Sequence, residues 1–201
     1  MTSRSTCEDC DLTSNWSHLA AEQMREKADR VASAPLPILL GQEHLFFSSL
    51  EEDALAAVDR LTQANVGKDR CLYLIELDDE ADPQEVMSLF RKTKSETPLK
   101  LPKDNGITTQ CLYIGSSFAT GKRKKSLRSR LRQHLLGPGT STFGLALAQW
   151  ATMLEGGIYV STWHYPDDGR PESTMREIML AIEEWLSNQK KPMLGQQGIK
   201  N

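Results

Sequence analysis

Residues 109–115 read TQCLYIG and residues 70–77 read RCLYLIEL, two short apolar runs with strand character. A third run, GIYVSTWHY at 157–165, is richer still in β-branched and aromatic residues. Between and after them the apolar spacing turns helical. SLRSRLRQHLL at 126–136 is closed by Gly137-Pro138-Gly139, and ESTMREIMLAIEEWLSNQ at 172–189 stops before Pro192. Strands interleaved with helices predict an α/β chain with three strand candidates.

Working outward, WSHLAAEQMREKADRVAS at 16–33 has helical spacing and ends before Pro35 and Pro37. Residues 36–47 (LPILLGQEHLFF) read as extended or mixed. Residues 51–64 (EEDALAAVDRLTQA) predict a helix with acids in its first turn, followed by Gly67. Residues 78–108 differ: DDEADP, a short helical stretch around QEVMSLFRK, then KSETPLKLPKDNG, a loop-rich excursion with an Asn-Gly turn signal. Another helix is expected over 143–154. Residues 1–66 form a mostly helical extension and 67–201 the principal domain.

The chain has 201 residues, enough for one domain with a core plus a small annex. Its 25% charged and 39% hydrophobic residues exclude a wholly disordered or collagen-like polymer. No apolar run approaches the roughly 20 residues of a bilayer span. The opening MTSRSTCEDCDL has early acids and no apolar region behind it, so no secretory signal is expected, and a cytoplasmic, reducing setting follows. Cys71 and Cys111 fall inside apolar runs and read as core thiols. Cys7 and Cys10 form a single C-x-x-C pair, with His18 as a third donor and no fourth, which falls short of a structural zinc site.

Charge is unevenly spread. Residues 91–134 hold twelve of the 24 Lys and Arg residues and two acids, Glu96 and Asp104, a net of +10 against −13 elsewhere. A solvated face is one reading. A site for a polyanion, whose phosphates Lys and Arg would neutralise, is the other.

Taken in order, CLYLIEL (71–77), LYIGSS (112–117), RLRQH (130–134) and AIEEWLSNQKKP (181–192) resemble the GIY-YIG nuclease superfamily over roughly residues 70–195. That family has a first-tyrosine strand, a Y-[IV]-G-[ST] strand, a helix bearing R-x-x-x-H, and a later helix bearing a glutamate before a proline. The resemblance implies a small three-stranded, mainly antiparallel sheet flanked by helices. There are departures. The first motif reads Cys71-Leu72-Tyr73. Tyr73 and Tyr113 are 40 residues apart, so 78–108 reads as an insertion between the first two strands. Gly195 stands where many members carry an asparagine after the proline. The literal Gly157-Ile158-Tyr159 follows the second motif and reads as the third strand.

Helical geometry gives a separate test. At about 100° per residue, Leu127, Leu131 and Leu135 form one stripe, with Arg130 about 60° from Leu127 at its edge. Arg128 and Arg132 lie nearer solvent, and Arg130 and His134 share a face as i and i+4. A histidine here also suits the negative end of a helix. In the later helix, Met175, Ile178, Met179, Ile182, Trp185 and Leu186 predict the buried stripe. Glu183 falls about 100° from its centre and Glu184 about 160°, so Glu183 is the border residue.

Phosphodiester hydrolysis needs positive charge where the phosphoryl oxygens gain negative charge. Glu183 is expected to hold one Mg²⁺ or Mn²⁺ with several waters, and Arg130 to contact the scissile phosphate. Tyr73 and Tyr113 are expected to position water. The resemblance favours Tyr73 as general base with His134 supporting. Gly115 is expected to permit a tight turn. Lys122, Arg123, Lys124 and Lys125, with Arg128, are expected to grip the backbone of double-stranded DNA. Base readout would fall to the first 66 residues or to Arg91, Lys92, Lys94, Lys100 and Lys103. Three functions are open: a metal-dependent DNA endonuclease, without a separate DNA-binding module and acting as a restriction-type homodimer; a non-catalytic nucleic-acid-binding module of the same fold; or an interaction protein that docks a partner through its acidic N-terminal third.

Overall fold

The computed structural model describes residues 9–63 (side chains from 18 to 62), 70–118, 126–137 and 143–195. The chain divides into two compact units, residues 1–34 and 35–201. The first holds one long helix, α1 (Asp9–Ala32), whose described side chains are mostly exposed and include the i,i+4 ion pair Arg30–Glu26.

The second unit is built on a four-stranded antiparallel sheet. Its strands are β1 (Ile38–Phe46), β2 (Arg70–Leu77), β3 (Cys111–Phe118) and β4 (Gly157–His164), in spatial order β1-β4-β2-β3. The helices are α2 (Leu50–Gln63), α3 (Pro83–Glu96), α4 (Leu127–Leu135) and α5 (Glu172–Lys190). No helix among the described residues is long and apolar enough to cross a membrane.

The sheet has one strand more than the three expected. Strand β1 comes from the segment read above as extended or mixed. It is an edge strand whose side chains are mostly exposed, so hydrophobicity marks it poorly. Its register also slips between Leu39 and Gly41, which breaks the period-two alternation. Because β1 pairs with β4, it shares one sheet with β2 and β3, and the compact unit begins at Pro35. Strand β4, which carries the literal Gly157-Ile158-Tyr159, is interior and pairs with both β1 and β2.

Alternation along β2 divides the two faces. Cys71, Tyr73 and Ile75 join the main core, to which α2 contributes Leu50, Val58 and Leu61 and α4 contributes Leu127, Leu131 and Leu135. Each such side chain, fully buried, contributes about 1.5–3 kcal/mol. Leu72 and Leu74 point the other way. With Ile114, Trp163, Ile182 and Trp185 they line an apolar cavity of about 260 Å³ between α5 and the sheet. Trp185, expected in the buried stripe, is 59% exposed. Helix α5 packs chiefly on β3 and β2, and one flank of its stripe stays open to solvent.

Local signals account for the helix ends. Asp82 caps α3 by accepting the Gln84 amide at 2.8 Å, with Pro83 at the first helical position. The short helical stretch expected there is a 14-residue helix that buries Val86, Met87, Phe90 and Thr93. Ser126 caps α4 through the Ser129 amide. The helix expected over 143–154 is not formed. That segment contains one 3₁₀ turn, Leu147–Gln149, preceded by Ala146 in the left-handed region at φ 52°. The chain there bends back onto α4 instead of continuing as a helix.

Candidate functional site

The β2–β3 register pairs Tyr73 with Gly115 and Ile75 with Tyr113, which puts both tyrosines on the same face. Their rings are nearly parallel, with centroids 6.2 Å apart. Gly115 is mid-strand and makes no tight turn, contrary to the expectation above. Its requirement is space: a Cβ there would lie 2.5 Å from Tyr73 Cζ and 3.0 Å from Tyr113 Cε1.

Helix α4 brings His134 to the pair, its ring centroid 4.3 Å from that of Tyr113 and 5.5 Å from that of Tyr73. The Leu145 amide donates to His134 Nδ1 at 3.2 Å. A backbone N–H only donates, so Nδ1 carries no proton and the neutral ring carries its proton on Nε2. His134 Nε2 therefore donates to the Tyr73 hydroxyl at 3.0 Å. Burial, reinforced by the charge of Arg130, lowers the imidazole pKa to about 3. The Leu145 amide is held in place by its neighbours. The Ala146 amide donates to the Gln133 carbonyl, and a Cβ on Gly144 would lie 2.5 Å from that oxygen.

Tyr73 is 2% exposed, and desolvation holds its phenol well above the ordinary value, with Tyr113 and Glu183 adding to the shift and Arg130 opposing it. Tyr113 is half-buried, and its phenol is also raised, first by desolvation and then by Glu183. Interaction between the two hydroxyls raises Tyr73 and lowers Tyr113.

Arg130 is half-buried while Arg128 and Arg132 are exposed, the order that the helical angles predict. Its Nε is buried with no hydrogen-bond partner among the described residues. Its charge reaches His134, both phenols and Glu183. On α5, Glu183 accepts a hydrogen bond from the Ser116 hydroxyl through Oε2. Desolvation raises its carboxyl pKa, while Ser116 and Arg130 act against the rise. Ser116 belongs to the second motif, but its partnership with Glu183 is visible only in the fold. Strand β3 is the outer edge of the sheet, with Tyr113 and Gly115 on one face and Ser116 on the other.

Among the described residues no three His, Cys, Asp or Glu side chains gather as a metal-binding group. The donor chemistry is one carboxylate, Glu183, beside one hydroxyl. That fits Mg²⁺ or Mn²⁺ retaining several waters, and does not fit a zinc site of imidazoles and thiolates.

The expected backbone-gripping residues divide. Arg128 is ion-paired with Asp59 of α2 at 2.7 Å. Lys122, Arg123, Lys124 and Lys125 lie outside the described residues, as do Cys7 and the Cys10 side chain. Arg91 is paired with Asp104 at 2.7 Å, and Lys94 donates to the Pro102 carbonyl. Lys92, Lys100 and Lys103 are exposed.

One contributor had no signal in the sequence. The Asn105 side-chain amide donates to the carbonyls of Pro192 and Gly195, both at 3.1 Å. Asn105 reads locally as half of an Asn-Gly turn, and nothing nearby points 87 residues onward to Pro192. Comparison with models of known protein families, with curated proteins and with solved structures gives no match to this chain.

Proposed function

We propose that the chain is a metal-dependent endonuclease that hydrolyses phosphodiester bonds in double-stranded DNA. The observation that carries the reading is convergence. Tyr73, Tyr113, Arg130, His134 and Glu183 come from four separate elements, and the charge of Arg130 acts on the other four. The resemblance of the ordered motifs to GIY-YIG nucleases supports the same chemistry.

Each group has a task that its surroundings suit. Arg130, half-buried at the border of the α4 stripe, offers its guanidinium to a phosphate oxygen. His134, fixed as a donor, holds the Tyr73 oxygen as an acceptor and leaves the Tyr73 proton to point elsewhere. Of the two phenols, Tyr113 has the better claim to the attacking water, because it keeps solvent contact and Tyr73 does not. Tyr73 then serves as the inner member, fixing the Tyr113 hydroxyl. This reverses the roles that the resemblance suggests. Glu183, with Ser116 beside it, would hold a single Mg²⁺ or Mn²⁺, which when bound supplies positive charge to the phosphoryl oxygens.

Restriction-type, site-specific cutting by a homodimer is the finer proposal, with recognition falling to the exposed Lys92, Lys100 and Lys103 of the 78–108 insertion or to the N-terminal segments. A second reading, a DNA-binding module without catalysis, draws on one observation. Both phenols are raised and His134 is held neutral, so none of these three groups titrates near neutrality. Plasmid nicking in Mg²⁺, Mn²⁺ and EDTA decides between the two. Metal-dependent conversion of supercoiled to open-circular DNA, lost in Glu183→Gln while binding in EDTA persists, is the expected result. Binding without nicking under any metal would leave the second reading standing.

A further inference from the structure

The segment after α5 is held from two sides. On one side it runs along β3: the Met193 amide donates to Cys111 O at 2.9 Å and the Leu194 amide to Leu112 O at 3.0 Å. On the other side the tail of the insertion grips it. The Gly195 amide donates to Lys103 O at 2.9 Å, the Asn105 amide donates to Met193 O at 2.8 Å, and Asp104 and Leu194 form an isolated antiparallel bridge. The Asn105 side chain closes this grip by donating both of its hydrogens, one to Pro192 O and one to Gly195 O. Those carbonyls lie three residues apart, so the amide spans a turn that no side chain within that turn bridges. Asn105 is itself set by Asp104, whose Oδ1 accepts the Gly106 amide and whose other oxygen pairs with Arg91.

What the turn presents to the site is Gly195. Its φ of +99° is a conformation that side chains other than hydrogen rarely adopt, and a Cβ there would lie 2.7 Å from Tyr113 Cε2. Backbone therefore lies directly against one edge of the Tyr113 ring. Gly115 approaches the ring at Cε1 and His134 at 4.3 Å between centroids. The ring is wedged among these groups, and Gly195 is the wall that arrives from outside the sheet.

We propose that Asn105 is a positioning residue for Tyr113: its side chain holds the Pro192–Gly195 turn against the phenol ring and so sets where the Tyr113 hydroxyl stands relative to Tyr73 and His134. The insertion between β2 and β3 thus has a part in the site's geometry. Its consequence for catalysis rests on the nuclease reading, whereas its consequence for the Tyr113 ring does not.

The test uses the full-length protein carrying 3-fluorotyrosine at position 113, followed by ¹⁹F NMR, with nicking kinetics measured on the unlabelled protein. Asn105→Asp keeps the shape and removes both donors. Asn105→Ala removes the side chain. Gly195→Ala, which crowds the ring from the other end of the same contact, is the independent variant should the Asn105 variants not fold. The expected result is a displaced Tyr113 resonance in folded protein, with kcat lowered about tenfold and KM within about twofold, because a small misplacement near the reacting atoms acts on rate more than on binding. An unmoved resonance in a folded Asn105 variant, or in Gly195→Ala where those do not fold, overturns the proposal. If the resonance moves and the unmodified protein nicks no DNA, the positioning role stands and the nuclease reading falls.

Discussion

His134 donates from Nε2 to the Tyr73 hydroxyl at 3.0 Å while its other ring nitrogen takes the Leu145 amide proton, so the imidazole is a fixed donor to that phenol. The same arrangement gives a pH dependence to stability. The unfolded chain takes up a proton on this histidine near its ordinary value of about 6.5, and the folded chain only near a pKa of about 3. The contribution is present in full above about pH 6.5 and is lost as pH falls toward 3, with a slope of at most about 1.4 kcal/mol per pH unit. Urea melts between pH 7 and 4 should show a shallower loss in His134→Gln than in the unmodified protein. Identical slopes would remove this histidine from the acid sensitivity.

Glu183 has the opposite sign. Its carboxyl pKa is raised by burial, so the charged form destabilises the fold at neutral pH and the cost disappears as pH falls. Glu183→Gln should melt about 2–4 °C higher at pH 7, the shift that about 1 kcal/mol makes in a domain of this size. It should nick DNA at least about 100-fold more slowly. A variant that melts lower and still nicks would contradict both expectations.

Gly115 is needed for room. In Gly115→Ala the added methyl meets the Tyr73 ring, in the face of β2 that is buried under α4. Overpacking of this kind costs about 1–3 kcal/mol, read as a lowered denaturant midpoint with an unchanged m-value. An alanine variant of native stability would mean that the phenol yields, and its nicking rate would then report by how much.

Arg130 should not tolerate lysine. The buried Nε is a donor that an ammonium cannot supply at that place. Arg130→Lys is expected to lower nicking about 100-fold while changing the salt dependence of DNA binding by less than one phosphate contact. Equal loss of binding and rate would make Arg130 a gripping residue and not one that acts on the scissile phosphate.

The legible parts of this chain were those carried by local periodicity. The helix over 172–189 and the runs at 70–77 and 157–165 match α5, β2 and β4 closely, because their apolar spacing is regular. The half-buried setting of Arg130 against exposed Arg128 and Arg132 follows from the same spacing. What escaped depended on contacts between distant segments. Strand β1 is hidden by its exposure and its bulge. Trp185 is exposed although α5 packs on β3 and β2, a limit of cover that the helical period does not report. The Leu145 amide on His134 and the Asn105 amide on Gly195 join loops to the site, and no rule of residue spacing reports such a meeting.

The order of the sheet has a consequence for synthesis. Strand β4 is the last of the four to leave the ribosome, yet it lies between β1 and β2. Until residues 157–164 emerge, β1 has no neighbouring strand, so the β1–β4 and β2–β4 pairings must wait while β2 and β3 can already pair, and such long-range pairings fold slowly. A translation product cut short before Gly157 would lack both the joined sheet and Glu183. The carboxylate is thus added only after every strand that must support it has been made.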